Sequence, residues 1–118
     1  MRLDGALNRL NGHLKKLSQM RVLVVGDAII DEYRYVAALG KSPKENMIAT
    51  KFEENETFAG GVIATANHVA GLCAQVDIMT LLGDCSGAQG SNDEELILES
   101  LAKNVQLLPI RLRGAPTT

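Results

Sequence analysis

TFAGGVIATANHVAGLCA, residues Thr57–Ala74, is the stretch from which the rest of this chain can be read. Two adjacent glycines, Gly60 and Gly61, break the chain, and a helix of small residues is expected over Val62–Cys73. Adjacent glycines let the backbone take positive φ and approach a ligand with no Cβ in the way. A helix starting just after them points its free N–H groups and the positive end of its dipole at the same place. Ala, Val, Gly and Thr along that helix allow close packing on a sheet. Such a turn can form the floor of a site for a polar, hydroxyl-rich or anionic small molecule. On pattern alone its commoner meaning is a tight turn between strand and helix, so the neighbouring segments carry the decision.

Upstream, Arg21–Ile30 (RVLVVGDAII) is a near-continuous β-branched run and reads as a buried parallel strand, interrupted by Gly26-Asp27 near its end. Asp31 and Glu32 follow at its mouth. Ligands of open α/β sheets sit at the carboxyl ends of strands. Asp31 is therefore the first candidate for touching a substrate, because a carboxylate accepts hydrogen bonds from two sugar hydroxyls at once; a helix cap or a solvated acid is the alternative. Tyr33–Leu39 and Met47–Phe58 read as extended strands around a polar turn, Gly40–Asn46. Together Tyr33–Phe58 form an antiparallel flap where a simple βαβ unit would place a helix.

Downstream, Gln75–Leu82 is a second buried strand that ends in Gly83-Asp84, as the first ends in Gly26-Asp27. A Gly/Ser loop (Cys85–Ser91) leads to an amphipathic helix, Asn92–Lys103, with Ser91 or Asn92 as N-cap and Asp93, Glu94 and Glu95 in the first turn. Asn92-Asp93-Glu94-Glu95 also spells N-x-x-E, a magnesium-holding pattern in some kinases, but capping explains it here. Val105–Arg111 is a third strand. The order β-flap-α-β-α-β implies a three-layer α/β sandwich with right-handed crossovers. Ahead of all this, Leu3, Leu7, Leu10, Leu14 and Leu17 make one apolar stripe on a helix of about Asp4–Ser18, expected to pack on the domain's flank. A short coiled coil is the alternative.

At 118 residues the chain is long enough for a core of its own, and with 46% hydrophobic but 3% aromatic residues that core must be aliphatic. Twelve basic against fourteen acidic residues leave no basic face for nucleic acid and no polybasic run for a membrane. No apolar run approaches the length of a spanning helix. Arg2, Asp4, Arg9, Lys15 and Lys16 exclude a signal-peptide core, so a cytoplasmic location is expected. Cys73 and Cys85 are read as reduced thiols, and Asn55-Glu56-Thr57 as a glycosylation triplet that a cytosolic chain does not use.

From Arg21 to Thr118 the chain resembles the N-terminal part of ribokinase-type (PfkB family) sugar kinases, and among them most the heptose-phosphate kinases of bacterial surface-sugar synthesis. The features agree in order: VVGDAIIDEY, a lid segment with LGKSPKEN, FAGG opening a helix of the form A-N-x-x-A-x-L-x-A, a strand closing in LLGD, an amphipathic helix, and a final strand running to R-x-x-x-P-T-T. The resemblance implies a ribokinase-like three-layer sandwich: residues 1–20 as an added helix, residues 21–118 as the N-terminal portion of the domain, and a lid at about 33–58. It implies ATP-dependent phosphoryl transfer to a sugar hydroxyl in a parent enzyme, with Mg2+, in some relatives fused to a nucleotidyltransferase. Asp31 would bind sugar hydroxyls, Gly60 and Gly61 would line the sugar pocket, and Lys41, Lys44, Arg111 and Arg113 are the candidates to balance a substrate phosphate. The family's usual Asn after the glycine pair is Ala64 here, with Asn67 one turn later as a stand-in. Cys73 replaces a Gly, and Cys85 an acid.

The family's second signature, D-T-x-G-A-G-D, supplies an anion hole and the catalytic base. Nothing in residues 1–118 matches it. The catalytic base and the ATP-binding half are expected beyond Thr118, the chain alone is expected to be inactive and to hold no cofactor, and an exposed half-sheet is expected to self-associate, as a homodimer or otherwise. Two other readings compete. One is a non-catalytic sugar-binding or dimerisation module of the same fold. The other is half of a dinucleotide-binding enzyme, against which Gly26-Asp27-Ala28-Ile29 stands, since no G-x-G-x-x-G follows the first strand.

Overall fold

Gly26 and Asp27 divide the apolar run of residues 21–30 between two sheets. The computed structural model describes residues 2–84 and 88–118. After a helix α1 (Arg2–Leu17), strand β1 (Arg21–Val25) ends at the glycine, and β2 (Ala28–Lys41) begins two residues later in a different direction. β2 pairs antiparallel with β3 (Ile48–Gly61) as a hairpin of two 14-residue strands. The chain then enters α2 (Val62–Ala70), β4 (Gln75–Asp84), α3 (Ala88–Ser100) and β5 (Val105–Arg113). β1, β4 and β5 form a parallel sheet in the order β1-β4-β5.

Four expectations change. The first strand is not continuous to Ile30. The amide of Ala28 leaves the ladder and donates to the Thr80 hydroxyl at 2.8 Å, which turns the chain into the hairpin. The flap expected at 33–58 consequently spans 28–61, with Gly60 and Gly61 as its last two residues. The third helix starts at Ala88, so Asn92 lies inside it rather than at its N-cap, and its acids fall beyond the first turn. Cys85, read as a loop residue, lies outside the described residues. Lastly, the apolar stripe of α1 does not pack on the domain: Leu7, Leu10, Leu14 and Leu17 are all exposed.

The core is aliphatic, as the composition requires. Val76, Ile78, Thr80 and Leu82 alternate along β4 and face inward, where Val62, Ile63, Ala66 and Ala70 of α2 and Ile97 of α3 cover them. Small residues at 66 and 70 let α2 lie close to the sheet, as the sequence suggests. Both helices therefore cover one face. On the other, Leu23, Val25, Met79, Leu81, Leu108 and Ile110 are exposed, so these residues supply two of the three layers. Asn67 and Asn104 join the layers. The Asn67 amide donates to Ser100 O (2.8 Å) and accepts from Ala102 N (2.9 Å), while Asn104 donates to the carbonyls of Ala70 and Cys73.

Candidate functional site

The hairpin springs from the C-terminal end of the parallel sheet, where such folds bind ligands. Its root is fixed at several points. The Asp27 carbonyl accepts the first amide of α2, from Val62, at 3.0 Å. Gly61 has φ 60°, and a Cβ there would run into that same carbonyl oxygen. Only glycine allows this reversal from strand into helix. Ile30 N donates to Thr118 O at 2.8 Å, and Gly83 N to the Thr117 hydroxyl at 3.2 Å. The residues after β5 thus cross over Gly83, where any Cβ would strike the backbone of residues 115–117.

Antiparallel register sorts the hairpin's side chains between two faces. One face carries Ile29, Asp31, Tyr33 and Tyr35, opposite Gly60, Phe58, Glu56 and Glu54. Here the Asp31 carboxylate leans over the bare Cα of Gly60: a Cβ on Gly60 would lie 2.7 Å from Asp31 Oδ2. Asp31 is exposed, and nothing in the fold takes its oxygens as hydrogen-bond acceptors among the described residues. Tyr33 and Phe58 meet edge to face with centroids 5.8 Å apart. Tyr35 donates to Glu56 at 2.8 Å, and this bond to a carboxylate pushes its hydroxyl above the usual tyrosine range.

The other face carries Ile30, Glu32 and Arg34 opposite Ala59, Thr57 and Asn55. Arg34 grips Glu32 through two nitrogens, at 2.8 and 3.1 Å, and its hydrogen bond holds the Glu32 carboxyl below its ordinary range. This face overlooks a cleft of about 800 Å³, closed on the far side by α3 and the crossing segment. Glu32, Asp93, Glu95 and Glu99 line it together with Thr57, Asn92 and Thr117. Four carboxylates make it the wrong sign for a phosphate. Among the described residues no group of three or more His, Cys, Asp or Glu is placed to hold a metal ion.

Of the residues singled out in the sequence, the structure brings together Asp31, Gly60 and Gly61. It separates the others from them. Asn67 is bound at both ends of its amide, to Ser100 at the end of α3 and to Ala102 just after it. Lys41 closes β2 ten residues beyond Asp31, roughly 30 Å along an extended strand, and Lys44 lies in the loop beyond it. Arg111 is held by both oxygens of Glu94, at 2.6 and 2.7 Å, while Arg113 ends β5, exposed. None of these seven candidates and Arg111 lines the 800 Å³ cleft. Sequence reasoning passed over Thr80 and Gly83, although the Gly83-Asp84 ending was visible, and it did not weigh where the few aromatics fall.

A parallel sheet with helices and a hairpin inserted after its first strand is the N-terminal arrangement of ribokinase-like carbohydrate kinases. The comparison with solved structures agrees: a carbohydrate kinase from Agrobacterium tumefaciens superposes with a TM-score of 0.53 over 84% of this chain and 29% of its own, at 20% identity, which shows the fold. No protein-family model matches the chain. Its sequence is similar to the bifunctional protein HldE: 33% identical over 104 residues in Haemophilus ducreyi, covering 86% of this chain and 20% of that protein. In Coxiella burnetii the identity is 32% over 97 residues, 82% of this chain and 19% of HldE. The chain thus spans about a fifth of the length of these relatives, and the resemblance to ribokinase-type sugar kinases holds in both sequence and fold.

Proposed function

We propose that this chain is the substrate-binding and lid portion of an ATP-dependent sugar kinase, with a heptose phosphate or a similar phosphosugar as substrate. One observation carries the reading: at the root of the hairpin, the Asp31 carboxylate stands free over a glycine that leaves room beside it. A carboxylate with both oxygens open can accept from two neighbouring hydroxyls, and the bare Cα of Gly60 lets it hold that position. The hairpin reaches out from that point, so closing it over a bound sugar would exclude the water that competes as phosphoryl acceptor.

Phosphoryl transfer needs positioned phosphates, metal and base together. ATP, Mg2+ and the base belong, in this reading, to the parent enzyme, and the chain by itself binds without transferring. Soluble, cytoplasmic operation and self-association through the uncovered sheet face are part of the same proposal; no helix is long and apolar enough to cross a membrane among the described residues.

The test is thermal unfolding of the chain with and without D-mannose 6-phosphate and D-mannose. A ligand present at one hundred times its Kd stabilises by about 2.7 kcal/mol. Asp31→Asn should remove that stabilisation while leaving the unliganded Tm unchanged. Failure of both sugars to raise Tm would overturn the reading.

A further inference from the structure

The chain has two tyrosines, two phenylalanines and no tryptophan, and all four aromatic residues lie in the hairpin. None contributes to the core. Three of them, Tyr33, Tyr35 and Phe58, share the face that carries Asp31, and each is about half exposed, Tyr33 at 55% and Phe58 at 51%. Phe58 sits directly across from Asp31 in the register, and Tyr33 meets it edge to face at 5.8 Å. Exposed aromatics on a sheet face next to an open carboxylate suit a ligand with one apolar and one hydroxylated side. A pyranose ring in its chair form is such a ligand: axial C–H groups gather on one face, and hydroxyls radiate from the rim.

We propose that Tyr33 and Phe58 form a stacking platform for the apolar face of a sugar ring whose rim hydroxyls are held by Asp31. This rests on the sugar-binding reading above and deepens it, because it makes the site selective for cyclic sugars over open-chain polyols. Phe58 is the central contact and Tyr33 buttresses it. Tyr35 is held back by its bond to Glu56, which keeps the tip side of the platform polar. Phe52 lies past the strand irregularity at Tyr35/Val36, toward the hairpin tip, and takes no part.

The composition supplies a built-in probe. With no tryptophan, emission excited beyond the phenylalanine absorption band comes from Tyr33 and Tyr35, both on the proposed face. The experiment titrates the whole chain with D-mannose and with D-mannitol, which bears similar hydroxyls but has no ring. Tyrosine emission and saturation-transfer NMR are the readouts. D-mannose should bind more tightly than D-mannitol and shift the emission. Phe58→Ala should weaken D-mannose roughly tenfold, the scale of one lost aromatic contact, and erase the preference over D-mannitol. Phe52→Ala should change neither. Phe58 is exposed, so its replacement leaves the fold intact, checked by an unchanged Tm. If Asp31→Asn abolishes binding and Phe58→Ala does not weaken it, the platform is overturned and the sugar-binding reading stands. If neither compound binds the unaltered chain, both fall. If Phe58→Ala instead converts an oligomer to a monomer with D-mannose affinity unchanged, the aromatic face serves self-association and the platform is overturned.

Discussion

Asp31 and Gly60 act as a pair, because the glycine's missing side chain is what leaves the carboxylate its position. Gly60 does not have a positive φ, so alanine there is not strained by its backbone. Its Cβ would come within 2.7 Å of Asp31 Oδ2 and push the carboxylate aside. Gly60→Ala should therefore change unfolding stability by no more than about 1 kcal/mol while sugar affinity falls, whereas Asp31→Ala should lower affinity roughly tenfold to a hundredfold, the range for a charged hydrogen bond. Calorimetric titration beside thermal unfolding separates the two effects. Thr80 shows the opposite balance. It is buried at 3% exposure, far from any ligand role, and its hydroxyl accepts the Ala28 amide at the hairpin root. Thr80→Val keeps the shape and strands that amide, so urea unfolding should show a loss of about 1–3 kcal/mol. Tyr35 gives a titration with a definite sign. Its bond to Glu56 requires the protonated phenol, and its folded value is raised. The bond is fully present below the ordinary tyrosine range and is lost as pH rises through the raised value. Absorbance at the phenolate band should show one tyrosine ionising late, and Tyr35→Phe or Glu56→Gln should remove that late phase.

The hairpin is the element on which sequence and structure part most. Its existence was legible: alternating polar and apolar residues on both sides of Gly40–Asn46 cannot make the helix of a βαβ unit. Its root was not. Arg21–Ile30 is apolar on both sides of Gly26-Asp27, and periodicity cannot say that the chain changes sheets at residue 27. The cause is a tertiary hydrogen bond to Thr80, fifty-two residues away. Helix α3 was placed four residues late, since Gly90-Ser91 look like loop residues while the structure starts the helix at Ala88 and ends it at Ser100. The nearness of Asp31 to Gly60 and Gly61 follows from strand register, Ile29 facing Gly60 and Ala28 facing Gly61. The distances of Lys41, Lys44 and Arg113 were not legible in the sequence, because they depend on how far a strand of 14 residues reaches. The glycines at the root can be tested as parts of the element. Gly61→Val combines a β-branched residue at φ 60° with a clash against the Asp27 carbonyl, so it should cost several kcal/mol, on the order of 3, and weaken the start of α2. Gly83→Ala should act elsewhere: its Cβ meets the crossing backbone of residues 115–117 and displaces it. Hydrogen exchange reads the result, with the Ile30 amide losing protection once Thr118 O is drawn away, while the amides of β4 paired to β1 remain protected.

At the scale of the molecule, the parallel sheet has one covered and one open face. Val25, Met79 and Leu108 stand in register across its three strands, and Leu81 and Ile110 form the next row. All five are exposed. At the other end of the same face the row Leu23, Asp77 and Gln106 turns polar, and Arg21 pairs with Asp77 at 3.3 Å. The open apolar area is thus bounded and lies toward the C-terminal ends of the strands. Exposed apolar patches of this kind are unusual on a chain that stays monomeric in water. Stable pairs bury roughly 1,200–2,000 Å² in total, and a sheet face about three strands wide can supply a large share of that. Sedimentation velocity across micromolar concentrations should therefore show reversible self-association. Leu81→Lys with Ile110→Lys places two like charges on neighbouring strands at the centre of the patch, which opposes any apolar contact there. That variant should sediment as a monomer with its far-UV spectrum unchanged, because neither side chain reaches the core formed by Ile63, Val76, Ile78 and Ile97 on the opposite face. The exposed leucine stripe of α1 is a separate surface, and Leu10→Lys with Leu14→Lys gives the contrast. If the α1 variant is monomeric and the sheet variant still associates, association runs through the helix, and the sheet face is not the contact.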